Sequence, residues 1–222
     1  MGAENRLSRE RVAQIIAQDI APGSYVNLGL GIPTLVARYL DPEKEIVLHS
    51  ENGILGLKDL EPGQPQDRDL INASKGYVQM VTGTSISDQS LSFAMMRGGH
   101  LDATVLGAFQ VSGSGDIASW TTGGDGVPGI GGAMDLVAGA RRVIVAMEHT
   151  TRDGEPRLLD ACTFPLTGKG VVSTVYTDMA IVDVDRARGF VVRALARGIS
   201  RDTLQAATGA RLAFAETVAT LD

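Results

Sequence analysis

The sequence predicts an α/β fold: an open, largely parallel sheet flanked by helices, with some antiparallel strands near the C-terminus. Three observations carry this expectation. Short apolar runs such as S-Y-V-N-L-G-L, E-I-V-L-H-S and R-V-I-V-A-M-E alternate with segments of helical periodicity, and that alternation implies crossover helices between parallel strands. Toward the end of the chain V-V-S-T-V-Y-T, A-I-V-D-V-D and F-V-V-R-A-L follow one another too closely for intervening helices, which implies antiparallel pairing there. A length of 222 residues with 44% hydrophobic content supports one substantial core, so a single domain over residues 1–222 is expected.

The elements follow in order. Ser8 is placed to cap a helix whose Val12, Ile15, Ile16 and Ile20 recur at helical spacing. Pro22 and Gly23 end it. The S-Y-V-N-L-G-L strand then leads into I-P-T-L-V-A-R-Y-L, a helix with Pro33 in its first turn, and E-I-V-L-H-S is the next strand. Residues 57–69 are polar with two prolines and read as an exposed loop. Beyond it, Y-V-Q-M-V-T is a strand and S-L-S-F-A-M-M-R-G-G a helix closing on Gly98 and Gly99. D-A-T-V-L-G-A-F-Q-V is one strand, A-M-D-L-V-A-G-A-R a short helix, and R-V-I-V-A-M-E another strand. After the antiparallel group, S-R-D-T-L-Q-A-A-T is the last helix.

Composition excludes several classes of function. The net charge is −6 and no Lys/Arg run is present, so a nucleic-acid partner is not expected. The lone cysteine, Cys162, leaves no internal disulfide and fits a reducing compartment. The first twenty residues are charged and amphipathic with no apolar h-region, and no segment approaches the length of a bilayer span. A cytoplasmic protein with no membrane partner is expected.

Five sets of residues are candidates for chemistry. Gly29 and Gly31, in G-L-G-I-P-T, join a strand to a helix as a phosphate-binding turn does, but the third glycine of a dinucleotide fingerprint is replaced by Thr34. A nicotinamide oxidoreductase would rest on that incomplete turn alone. His49, His100 and His149 have no second histidine or cysteine at ligand spacing, so no metal is expected. The G-x-S-x-G elbow of a serine hydrolase is absent, and Cys162, between Ala161 and Thr163, reads as packing. Glu51, in L-H-S-E-N-G-I-L-G-L, is either a solvated turn residue or a reagent: Val47, Leu48, Ile54 and Leu55 desolvate its surroundings, and Asn52-Gly53 permits a tight turn. In residues 127–136, V-P-G-I-G-G-A-M-D-L, Gly129, Gly131 and Gly132 precede a helix. They are either a close-packed connection or bare amides suited to an oxyanion.

Six motifs in order, S-E-N-G-I-L-G-L, D-L-I-N-A-S-K, S-F-A-M-M-R-G-G-H-L-D, L-G-A-F-Q-V, G-G-A-M-D-L-V and P-L-T-G-K-G-V-V-S, make the chain resemble the β subunit of family I CoA-transferases, the 3-oxoacid and 3-oxoadipate group. The resemblance covers residues 7–209. It implies a CoA-transferase-like fold, with Glu51 as the nucleophile that forms an acyl anhydride and then a thioester with coenzyme A. It also implies Gly132 as an oxyanion donor, Lys75 as a CoA contact, Asn52 and Gly53 as holders of the nucleophile turn, and Gly29 and Gly31 as cleft lining. No cofactor is implied, coenzyme A being a substrate. The glycine-rich motif of the α half is missing, so an α subunit is the implied partner, in an α2β2 or higher assembly.

The chain departs from the family pattern in two places and leans toward one branch of the family in a third. Ser74 stands where glycine is usual. Ile86 and Ser87 replace two phenylalanines. W-T-T-G-G-D-G (residues 120–126) is more similar to the 3-oxoadipate enzymes. Two other readings keep the same site: hydrolysis of an acyl-CoA through the same glutamate, and a non-catalytic subunit that binds CoA and regulates its partner.

Overall fold

Helix α1 (Arg9–Asp19) begins where the sequence places it. Ser8 is its N-cap, and the Ser8 hydroxyl accepts a hydrogen bond from the Arg11 amide at 3.1 Å. Val12, Ile15 and Ile16 face inward and are almost wholly buried. Each such side chain contributes roughly 1.5–3 kcal/mol against the entropy of ordering the chain. The computed structural model describes residues 5–124 and 129–222.

The main sheet has ten strands among the described residues, and five of them form its centre: β1 (Tyr25–Leu28), β2 (Val47–Ser50), β5 (Ala103–Leu106), β8 (Val143–Met147) and β10 (Val172–Thr177). They lie in the spatial order β2-β1-β5-β8-β10, all parallel. Both edges depart from that pattern. Beyond β10 lie β11 (Ala180–Asp185) and β12 (Gly189–Ala196), each antiparallel to its neighbour, then β13 (Leu212–Leu221), parallel to β12. Beyond β2 lie β3 (Ile54–Asp59) and β4 (Val78–Ile86), both antiparallel. The loop expected over residues 57–69 is therefore corrected at its start, because Leu57, Lys58 and Asp59 pair with β4. Strand β13 was not foreseen: its alanine-rich sequence lacks a clean alternation, and pairing with β12 decides its conformation.

The single strand expected over residues 102–111 is two. Gly107 to Phe109 break it, and β6 (Gln110–Ser112) leaves for a second sheet with β7 (Ile117–Ala118) and β9 (Leu158–Leu159), in the order β7-β6-β9. The helix expected after β1 is also shorter: α2 (Ile32–Leu35) runs into a 3-10 turn over Val36–Tyr39.

Helices α3 (Gln89–Arg97), α4 (Ala133–Gly139) and α5 (Arg201–Ala206) complete the set. Two apolar clusters cover opposite faces of the sheet, and the pleat of β8 divides between them. Ile144 and Ala146 join the cluster with α1, while Val143, Val145 and Met147 join the one that includes residues of α3, α4 and the small sheet. Helices α3 and α4 approach so closely that a Cβ on Gly139 would stand 1.8 Å from the Met96 carbonyl oxygen. Arg97 reinforces the contact with a 2.6 Å ion pair to Asp135. The close approach at Gly139, the last residue of α4, and the Arg97 pair to Asp135 in its first turn hold the helix against α3, and its start borders the site.

Candidate active site

In a parallel sheet, ligands bind beyond the carboxyl ends of the strands, and the chain has a cavity there of about 620 Å³. Its walls include Leu28 and Gly29 after β1, Ser50 and Glu51 after β2, Leu106 to Phe109 after β5, and Gly129 to Ala133 leading into α4. Residues 125–128 lie outside the described residues. That includes Val127 of the glycine-rich stretch and Asp125-Gly126 of the tryptophan-bearing motif.

Glu51 sits at the tip of the β2–β3 hairpin. Ser50 pairs with Ile54, so Glu51, Asn52 and Gly53 form a three-residue loop closed by the Gly53 amide donating to the Ser50 carbonyl at 2.9 Å. Gly53 has φ +111, and a Cβ there would meet the Ser87 carbonyl oxygen at 2.1 Å, so only glycine fits. The turn is also pinned from the side. The Ser50 hydroxyl accepts from the Ala73 amide at 2.9 Å, and the Asn52 amide group donates to the Ile71 carbonyl at 2.7 Å.

The carboxylate is half-buried, and the Gly132 amide donates to its Oε2 at 3.2 Å. Gly132 is the N-cap of α4, and a Cβ on it would stand 2.3 Å from Glu51 Oε2. Loss of solvent raises the Glu51 pKa above its usual value; the Gly132 hydrogen bond works the other way, and the Asp135 charge adds to the rise. A desolvated carboxylate with one backbone donor is a stronger nucleophile than one in water.

The remaining sequence candidates separate. Gly29 lines the cavity, and its amide bonds the Val105 carbonyl at 2.8 Å. Gly31 does not line it; its φ of +90 reverses the chain into α2. Lys75 is exposed, at φ +65 on a turn held by Asn72, and is not among the lining residues, although Ala73 and Ser74 are. Asn52 points to the 71–76 loop and not into the cavity. It acts on the site through the turn.

Two of the histidines, His49 and His149, are structural by geometry, and His100 is exposed. His49 is buried with Nε2 2.9 Å from the Ser92 hydroxyl and Nδ1 3.3 Å from the Asn27 amide nitrogen. An amide donating to Nδ1 leaves the proton on Nε2, so His49 donates to Ser92 and cannot act as its base. His149 is clamped between the Thr177 and Thr208 hydroxyls. Burial lowers both pKa values to about 4. Burial and, after it, the nearby Asp116 charge push the Cys162 thiol up to about 11 against the opposing pull of a Ser112 backbone hydrogen bond, and there it is a poor nucleophile. No group of three or more His, Cys, Asp or Glu suited to a metal occurs among the described residues, and no helix there is long and apolar enough to cross a membrane.

Sequence reasoning missed Arg157, which lines the same cavity. It lies in no motif, and only the pairing of β9 with β6 brings it to the wall.

Comparison with known proteins decides the family. The family model described as coenzyme A transferase matches residues 9–207. This chain belongs to the coenzyme A transferase family. It is 50% identical over 213 residues to one subunit of the 3-oxoadipate CoA-transferase of Pseudomonas putida, a match covering 96% of this chain and 99% of that one. It is 43% identical over 207 residues to the mitochondrial succinyl-CoA:3-ketoacid coenzyme A transferase 2 of Homo sapiens, covering 93% of this chain and 40% of that protein. Among solved structures, the acyl-CoA transferase YdiF from Escherichia coli O157:H7 superposes with a TM-score of 0.76 at 18% identity, over all of this chain and 44% of that one. The structural likeness speaks for the fold: a largely parallel sheet between helices with antiparallel strands at its edges.

Proposed function

We propose that the chain is the glutamate-bearing β subunit of a CoA-transferase. It moves CoA from an acyl-CoA, succinyl-CoA foremost, to a 3-oxo acid. The observation that carries this reading is the Gly132 amide hydrogen-bonded at 3.2 Å to Glu51, on the wall of the cavity beyond the strand ends.

The chemistry follows from that contact. The Glu51 carboxylate attacks the thioester carbonyl and expels CoA thiolate, which leaves an acyl–glutamyl anhydride. The thiolate then adds to the glutamyl carbonyl, releases the first acid and forms a glutamyl-CoA thioester. An acceptor carboxylate reverses the two steps and departs as its CoA ester. When thiolate or carboxylate adds to the Glu51 carbonyl carbon, the negative charge develops on a Glu51 oxygen, and the Gly132 N–H already faces Oε2 there. Hydrolysis of either intermediate is slowed where water is excluded, and apolar Leu48, Leu57, Leu106 and Leu136 line the cavity. No cofactor enters, because the energy of the thioester is kept in each intermediate.

The reading includes an α subunit, in an α2β2 assembly or a higher one, acting in the cytoplasm. Exposed Met80, Val81 and Ile86 on edge strand β4, with Leu91 on α3, support a covered surface beside the nucleophile turn. Greater identity to the 3-oxoadipate enzyme than to the 3-ketoacid enzyme supports 3-oxoadipate as acceptor. The test is turnover by the co-expressed α/β complex. Transfer from succinyl-CoA to 3-oxoadipate, more efficient than to acetoacetate, is expected. Release of succinate without any acceptor at the same rate would instead establish a hydrolase.

A further inference from the structure

Among the described residues the cavity is lined by two carboxylates, Glu51 and Asp59, and by one cationic side chain, Arg157. Asp59 has Arg38 as a counter-ion at 3.7 Å, so Arg157 is the lining cation at which a second negative charge can rest.

Arg157 is built as a fixed support. It immediately precedes β9, and its backbone is held on both sides: its amide donates to the His149 carbonyl at 3.1 Å and its carbonyl accepts from the Val111 amide at 3.0 Å. The side chain is only 22% exposed. Its nearest carboxylate is Glu148, whose Oε2 stands 3.6 Å from Nη1, beyond hydrogen-bond reach. Glu148 is shared with a second arginine, its Oε1 accepting from Arg9 Nε at 2.9 Å and from Arg9 Nη2. Among the described residues no side chain satisfies the Arg157 fork with a hydrogen bond. A mostly buried guanidinium with one 3.6 Å ion pair and no side-chain hydrogen bond keeps donors open to a ligand.

We infer that Arg157 holds the remote carboxylate of a dicarboxylic acyl group and so selects dicarboxylate substrates at this site. The inference rests on the transferase reading above. One carboxyl group of a dicarboxylic acid reacts at Glu51; the other stays charged inside the cavity and needs a counter-charge there. A planar guanidinium binds a carboxylate through two parallel hydrogen bonds. Succinyl and 3-oxoadipyl groups carry this second carboxylate, whereas butanoyl and acetoacetyl groups do not and leave Arg157 with Glu148 alone. Arg157 is thus a specificity residue, remote from the bonds that change.

The test uses the α/β complex with Arg157→Gln and Arg157→Lys, compared on succinyl-CoA and on butanoyl-CoA, a donor of equal chain length with no remote carboxylate. Intact mass reports the CoA adduct on Glu51 from each donor. We expect the preference for succinyl-CoA, as a ratio of kcat/KM values, to fall about 10- to 100-fold in Arg157→Gln, the range of one lost charged hydrogen-bond set. The change falls mainly on KM for succinyl-CoA. Arg157→Lys keeps the charge but not the fork and loses an intermediate amount, which also answers the question if the glutamine variant fails to assemble. An equal loss on both donors would mean that Arg157 serves CoA phosphates or the wall, and would overturn the inference, as would an unchanged ratio. Failure of the wild-type complex to form any adduct from either donor would instead bring down the transferase reading itself.

Discussion

Gly132→Ala separates the chemistry of this site from its architecture. Gly132 has φ −86 and ψ 7, a conformation open to alanine. A Cβ there lies 2.3 Å from Glu51 Oε2, 3.1 Å from Cδ and 3.2 Å from the tip of the Phe93 ring. The closest atom is the free end of a flexible side chain, so the carboxylate moves and the backbone stays. The fold therefore loses about 1 kcal/mol, the cost of putting alanine, a poorer N-cap than glycine, at that position. The reaction loses more. The 3.2 Å hydrogen bond to Oε2 breaks, and removal of one oxyanion donor costs about 2.7–4 kcal/mol, or roughly 100- to 1,000-fold in kcat. The assay is steady-state transfer from succinyl-CoA by the α/β complex, alongside urea unfolding. A variant with kcat within threefold of wild type and an unchanged unfolding midpoint would refute the role given to the Gly132 amide.

Three further outcomes follow from the geometry. Gly53→Ala places a Cβ 2.1 Å from the Ser87 carbonyl at φ +111, and should cost roughly 2–4 kcal/mol from backbone strain and clash, read as a lower urea midpoint. Burial of neutral His49 and His149 lowers both pKa values from 6.5 to about 4. The unfolded chain then binds more protons between pH 6.5 and 4, so stability is full above pH 6.5 and falls by about 3 kcal/mol per histidine as pH drops to 4. His149→Gln should flatten that part of the profile, and an unchanged slope would contradict it. In the proposed mechanism Glu51 attacks as the carboxylate, and its pKa is raised, so the acid limb of kcat/KM should lie above the ordinary glutamate value, and Asp135→Asn should move it down by removing a like charge. A limb that moves up in that variant would contradict the electrostatic account.

The central sheet was legible because its signals are local. Ser8 caps α1 as its sequence position implies, and the strands around Val26, Leu48, Val105 and Val145 are short apolar runs that read the same way folded. The place of Glu51 was legible for a similar reason, since an acidic residue at a strand end, followed by Asn-Gly, marks a turn at the sheet edge, but local signals left its role open and only the six-motif resemblance assigned one. The edges were not legible. Lys58 and Asp59 are polar and exposed yet belong to β3, because β4 lies beside them. Residues 212–221 carry three alanines but form β13 against β12. The break at Gly107, which sends β6 into the second sheet, is a matter of tertiary packing. So is Arg157, which shares no spacing with Glu51 and meets its cavity only through the β6–β9 pairing. Gly31 and Lys75 show the converse: both stand in motifs, and both fall outside the cavity wall.

The claim that Glu51 carries CoA during turnover is tested most directly by intact-mass measurement of this chain. The chain is taken in complex with its α subunit after exposure to succinyl-CoA without acceptor. The account predicts a CoA-sized adduct on the wild-type chain, removed by borohydride reduction, discharged by 3-oxoadipate and absent in Glu51→Ala. An adduct that persists in Glu51→Ala, or an assembled complex that transfers CoA without ever forming one, would contradict it.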